Sequence, residues 1–175
     1  MKDYILFIPP EEVSAIKARL WTTKQAKTYF DWLMSVKDDR VDYLLTCIDE
    51  SLTGDHKNDI ERVSKKITYI LKKPVFSELK EGDAIITNRG LAIVADLSLL
   101  ISKLIINTHP QLKWKIVKQP KRDISYNLPA LFEFPIIRHI ELMGGCIAEA
   151  KAILRGEKSE SIWLEIYEYA TGLIK

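Results

Sequence analysis

TNRGLAIVADLSLLISKLIINTHPQLKW, residues 87–114, contains the most apolar run of the chain, from residue 91 to residue 106. Read as a helix over residues 88–107, it is about 30 Å long at about 1.5 Å per residue, enough to cross a small domain. Arg89, Asp96 and Lys103 recur at a heptad interval and share one narrow seam. Leu91, Ile93, Val94, Leu97, Leu100, Ile101, Leu104 and Ile105 cover most of the remaining circumference. A helix apolar on nearly every side has to be wrapped by others, so this one predicts a helical core and says little about chemistry. Asp96 is the exception. A charge in such a helix costs several kcal/mol unless it is paired or solvated, and Arg89 and Lys103 stand about two turns away, too far to bond to it. A partner on another helix, or exposure in a groove, is predicted.

The chain of 175 residues, 47% hydrophobic and 29% charged, suits one folded domain over residues 1–175, since two cores would each be small. The net charge of +2 supplies no global field toward nucleic acid or an anionic membrane. Cys47 and Cys146 lie in helix-like apolar patterns outside any CxxC, which predicts free thiols in a reducing cytoplasm. The start, MKDYILFIPPEE, lacks the length and cleavage site of a signal peptide. The run at 91–106 is shorter than a membrane span and carries two charges, so no membrane partner is expected.

Upstream, residues 4–8 are β-prone up to Pro9-Pro10, and a short helix over 10–21 is expected from Val13, Ile16 and Leu20. Thr22-Thr23-Lys24-Gln25 reads as a capping box opening a helix whose buried face is Ala26, Tyr29, Phe30, Leu33 and Val36. Lys37-Asp38-Asp39-Arg40 interrupts that face before Val41, Leu44, Leu45 and Ile48 resume it, so a break is expected near 36–38. Gly54-Asp55 precedes an amphipathic helix through Ile60, Val63, Ile67, Ile70 and Leu71, which Pro74 ends. An irregular link over 74–87 with a turn at Glu81-Gly82-Asp83 is expected next. Downstream, Leu112, Trp114 and Ile116 alternate with lysines and predict a strand. A second strand is expected over 130–134, then a helix over 136–154 disturbed by Gly144-Gly145, and a last helix from Ser159 to Thr171. The fold class is therefore α+β and mainly helical, a central apolar helix wrapped by amphipathic ones with a small antiparallel sheet.

Signatures of phosphate loops, dinucleotide folds, zinc proteases and serine hydrolases are missing from the sequence. His139-Ile140-Glu141 echoes the HxE of zinc deaminases without the PCxxC that completes that site. His56, His109 and His139 are scattered and read as capping or surface residues. Asp38 and Asp39 point about 100° apart on a helix, which suits a helix start better than paired acid–base work. Lys113-Trp114-Lys115 with Lys118, Lys121 and Arg122 has a nucleic-acid-like pattern, but alternation turns Trp114 inward and leaves lysines guarding an edge strand. No cofactor, no metal and no enzyme activity are expected.

Trp32 stands about 200° round its helix from Phe30, outside the buried face, with Arg40 two turns on. It either packs on the terminal helix at Trp163 or Tyr167, or forms with Arg40 an exposed anchor of the kind interfaces enrich. Thr23, Lys24, Ala26, Tyr29, Phe30, Trp32, Arg40 and Leu44, with Gln25-Ala26 near the usual Glu-Ala, resemble a pattern in small bacterial proteins of unassigned function. The apolar helix followed by Pro110, Lys113-Trp114 and Asn127-Leu128-Pro129-Ala130-Leu131 is similar to the helix, Trp-strand and Asn-x-Pro strand of small cytosolic bacterial proteins, some of them like immunity proteins of toxin systems. The resemblance implies a stand-alone bacterial domain and brings no catalytic residues.

The function expected from this is a non-catalytic protein-interaction module, by resemblance one that neutralises a toxin, with another protein as partner and Trp32, Arg40, Arg89 and Asp96 as binding residues. The alternative is a small-molecule-binding protein or enzyme whose pocket follows the polar seam, with Arg89 and Asp96 as its polar groups.

Overall fold

The computed structural model describes residues 4–174. The protein is α+β and mainly helical. Its helices are α1 (Glu11–Ser14), α2 (Thr23–Cys47), α3 (His56–Leu71), α4 (Asn88–Thr108), α5 (Leu142–Leu154) and α6 (Ile162–Gly172), with a single 3-10 turn at Ala18–Leu20. A two-stranded hairpin, β1 (Ser77–Lys80) and β2 (Asp83–Ile86), precedes α4. A three-stranded antiparallel sheet follows it in the order β3 (Lys113–Ile116), β4 (Pro129–Phe132), β5 (His139–Ile140).

The central helix is where the apolar run places it. Thr87 accepts the Gly90 N–H at 3.2 Å as N-cap, and every residue from Ala92 to Ser102 is buried. By length and composition α4 could cross a membrane, and 78% of its most apolar window is buried inside the protein by the other elements. Leu33, Leu44 and Val41 of α2, Ile60, Val63 and Ile67 of α3, and Cys146, Ala150 and Ile153 of α5 join α4 in one continuous core. Trp163 of α6 is fully buried, its indole N–H 3.4 Å from the Thr68 hydroxyl of α3.

Local signals were read correctly where a short-range bond carries them. The Thr22 hydroxyl accepts the Gln25 N–H at 3.2 Å, and the Gln25 side chain takes the Thr22 N–H at 3.0 Å, completing the capping box of α2. Asp55 caps α3 through the Asn58 N–H.

Several expectations are corrected. The β-prone segment at 4–8 forms no strand, and the side-chain bonds described below hold it against α2 and α4. The helix expected over 10–21 is one turn, α1, plus the 3-10 turn. Of its three apolar positions, Val13 is buried while Ile16 and Leu20 are exposed. Helix α2 runs unbroken through Val36, Lys37 and Asp38: Asp38 sits on its outer face, paired with Lys37, and caps nothing. The link at 74–87 is a hairpin. Glu81 and Gly82 have φ of 52° and 86°, the two positive values of a type I′ turn, and Glu is an unusual residue in its first position. The helix expected from 136 starts at Leu142, because His139 and Ile140 pair with Phe132 and Leu131 as a third strand. Gly144-Gly145 lies in the first turn of α5, where it breaks nothing. The last helix opens at Ile162 rather than after Ser159, and Ser161 at its cap position makes no capping bond.

Candidate functional site

Asp96 finds its partner on another helix. Its side chain is fully buried, and the Arg40 guanidinium of α2 meets it bidentately, Nε donating to Oδ1 at 2.8 Å and Nη2 to Oδ2 at 2.6 Å. The Tyr4 hydroxyl donates to Oδ2 at 2.5 Å. Burial pushes the Asp96 carboxyl up, and the Arg40 and Tyr4 bonds, which favour the charged form, oppose it. Burial beside Asp96 also pushes the Tyr4 hydroxyl far above its usual range.

Arg40 does more than neutralise Asp96. Its Nη2 also donates to the Ile5 carbonyl at 3.1 Å and its Nη1 to the Leu6 carbonyl at 3.4 Å, while the Ile5 N–H donates to the Tyr43 hydroxyl at 3.1 Å. The guanidinium stands within 6 Å of the rings of Tyr4, Phe7 and Tyr43, at 5.7, 5.5 and 5.7 Å. One buried cation thus clamps residues 4–10, here called the strap, onto α2 and α4. The strap turns Tyr4 inward and Ile5, Leu6 and Ile8 outward, with 57%, 37% and 68% of each exposed. Leu6, Phe7 and Ile8 also rim a groove of about 280 Å³ floored by Leu91, Ala95 and Ile147.

The four residues singled out from the sequence are not one site. Arg40 and Asp96 meet directly. Arg40 is an inward side chain, 11% exposed, and not the exposed interface anchor envisaged beside Trp32. Trp32 is half-buried against the strap, its ring 5.0 Å from Phe7 and 5.5 Å from Tyr29, so neither Trp163 nor Tyr167 is its partner. Arg89 is exposed in the first turn of α4, roughly 10 Å along the helix from Asp96, and a shared pocket is not formed. At the other end of the seam Lys103 reaches toward Asp38 at 3.7 Å and Asp42 at 3.9 Å, beside a groove of about 340 Å³ lined by Lys37, Leu99, Ile106, Leu112 and Trp114.

The histidines, cysteines and lysines singled out in the sequence form no common site. His56 contacts the hydroxyls of Thr108 and Tyr167 at 3.0 and 3.3 Å, and His109 closes α4. His139 lies on β5, not on a helix, with its ring stacked on Phe132 and Nε2 3.5 Å from Asp123. Among the described residues no group of three His, Cys, Asp or Glu could hold a metal ion. Cys47 and Cys146 are free, and burial pushes the Cys146 thiol far above its usual range. Lys113 and Lys115 face outward on β3, an edge strand, with Lys115 paired to Glu133. Asn127, in the stretch that carries the bacterial resemblance, donates to the carbonyls of Ala18 and Trp21 at 3.0 and 2.9 Å and so ties the 3-10 turn to the sheet.

Sequence reading missed Tyr4, Phe7 and Tyr43 as parts of the clamp. A signal for Arg40 was present: it falls between Leu33 and Leu44 at spacings of seven and four, on the buried face of α2, where an arginine needs a carboxylate. Comparison with protein-family models, with curated proteins and with solved structures gives no match, so the reading of this site rests on its geometry.

Proposed function

We propose that the protein is a non-catalytic interaction module that presents its clamped strap to another protein. The observation that carries this is a β-prone segment outside any sheet, with outward Ile5, Leu6 and Ile8, whose described backbone bonds go to the side chains of Arg40 and Tyr43. Such a segment is prepared for pairing with an incoming strand, in which main-chain bonds supply affinity and alternate side chains supply specificity. Because Arg40 and Asp96 already hold it against the core, little ordering cost remains to be met on binding. Trp32 and Phe7 give the surface a rigid aromatic border. With the resemblance to immunity proteins, the partner is a toxin-like bacterial protein bound in the cytoplasm.

A second reading has one observation in its favour. The groove at the Lys103 end of the seam combines Lys37, Lys103 and Asp38 with apolar walls and would suit a small ligand, although Asp96 is sealed away from it and Arg89 is distant.

A photo-crosslinking residue placed at Ile8, with Ile124 as a 95% exposed control site, tests the first reading. The Ile8 probe should capture one protein that the Ile124 probe does not. Titration with that protein, once purified, should show Ile8→Lys weakening binding about tenfold or more with the unfolding midpoint unchanged. Identical capture from both positions, or wild-type affinity in Ile8→Lys, would overturn it.

A further inference from the structure

Trp114 also lines a second, partly open pocket of about 200 Å³ with Tyr29, Leu33, Pro129, Glu141 and Met143, which shares Met143 and Ile147 with the groove beside the strap. Its walls are mostly apolar, and besides Ser98, whose hydroxyl donates to the Ala95 carbonyl at 2.6 Å, two polar groups are set among them, an arrangement typical of small-molecule sites. The first group is the Tyr29 hydroxyl. Tyr29 is 7% exposed, and the described bond of its hydroxyl is a donation to the Met143 sulfur at 3.8 Å, a poor acceptor. A buried hydroxyl without a good partner is an exception that calls for an occupant.

The second group is Glu141, the N-cap of α5. Its Oε1 takes the Met143 and Gly144 N–H groups at 3.0 and 3.1 Å, and its Oε2 takes the Gly144 N–H at 2.9 Å. Gly144 leaves room for that carboxylate, since a Cβ there would stand 2.6 Å from Oε2. A carboxylate offers about four acceptor sites, so Oε2 can take one more donor. Burial pushes both Glu141 and Tyr29 upward, the Glu141 charge adding to the rise at Tyr29, and both side chains line the pocket.

A space of about 150 Å³ is enough for a benzene ring. This one has room for such a ring and one polar substituent. Tyr29 needs an acceptor and Glu141 has place for a donor, and a hydroxyl is both at one atom. An anionic ligand would face the Glu141 charge. We propose that the cavity is a binding site for a small neutral phenol, its ring among the apolar walls and its hydroxyl accepting from Tyr29 while donating to Glu141.

Titration calorimetry with phenol, toluene and benzoate tests this on the whole chain. Phenol should bind saturably one to one with a dissociation constant of about 1 mM or tighter, ahead of toluene, and benzoate should not compete. Tyr29→Phe keeps the ring that packs on Trp21 and Trp32, so it should weaken phenol about fivefold and leave toluene unchanged. Glu141→Gln should weaken phenol as well, with its fold checked by circular dichroism. No saturable phenol binding up to about 10 mM, equal binding of benzoate, or a Tyr29→Phe protein that binds phenol like wild type would overturn the assignment.

Discussion

Buried charge is handled at single residues in this protein, and Asp59 shows the principle as clearly as Asp96. Asp59 is fully buried in the first turn of α3, accepting from the Thr53 N–H and hydroxyl, the Gly54 N–H at 3.2 Å and Arg62 at 2.6 Å. Burial alone raises its carboxyl, but the bonds from Thr53, Arg62 and Gly54 outweigh that and hold it below the usual range. A lowered folded-state value means the stabilisation is complete above the unfolded value of about 3.9 and is lost as pH falls through the folded value. Asp59→Asn leaves Arg62 and the Gly54 N–H short of an acceptor and should cost about 2 to 4 kcal/mol at neutral pH. The gap from wild type should shrink near pH 3. Urea denaturation of both proteins at the two pH values checks this, and an equal gap at both would show that Asp59 is not the ionised acceptor described.

At the scale of elements, the hairpin and the start of α4 are packed as one unit. Gly90 lies where an added Cβ would stand 2.2 Å from the Phe76 carbonyl oxygen and 2.5 Å from Ile86 Cγ2. Alanine is the better helix former by about 1 kcal/mol, yet a clash with backbone cannot be relieved by turning a side chain. Gly90→Ala should therefore destabilise by about 2 kcal/mol or more and loosen β1–β2. A neutral or stabilising result in chemical denaturation would mean that the hairpin moves aside freely. The hairpin itself was illegible beforehand, since Leu79 and Ile85 point outward and its turn lacks the usual Asn-Gly or Asp-Gly.

For the whole molecule, α4 is the wall shared by α2, α3, α5, α6 and the first hairpin. Leu100 is fully exposed to neither solvent nor groove, at 0% accessibility in the middle of the core. Leu100→Ala should cost about 2 to 5 kcal/mol, read by denaturant unfolding. A cost below about 1 kcal/mol would contradict the central position of α4.

The central helix, the capping box of α2, the apolar face of α3, the lysine-guarded edge strand and the α+β class are all legible in the order of residues alone. Each of these is written in bonds or periodicities spanning a few residues, which a local pattern records. Asp96 also announced that it needed a partner, because an unpaired buried carboxylate is too costly to keep. Which partner it took was decided only by the tertiary structure. Arg40 is 56 residues from Asp96 in the chain, Tyr4 is 92 away, and the Tyr29 hydroxyl meets Met143 across 114. No period in a linear pattern encodes such pairings. The strap, the third strand at His139 and the cavity under Trp114 exist because packing around α4 brings distant segments together.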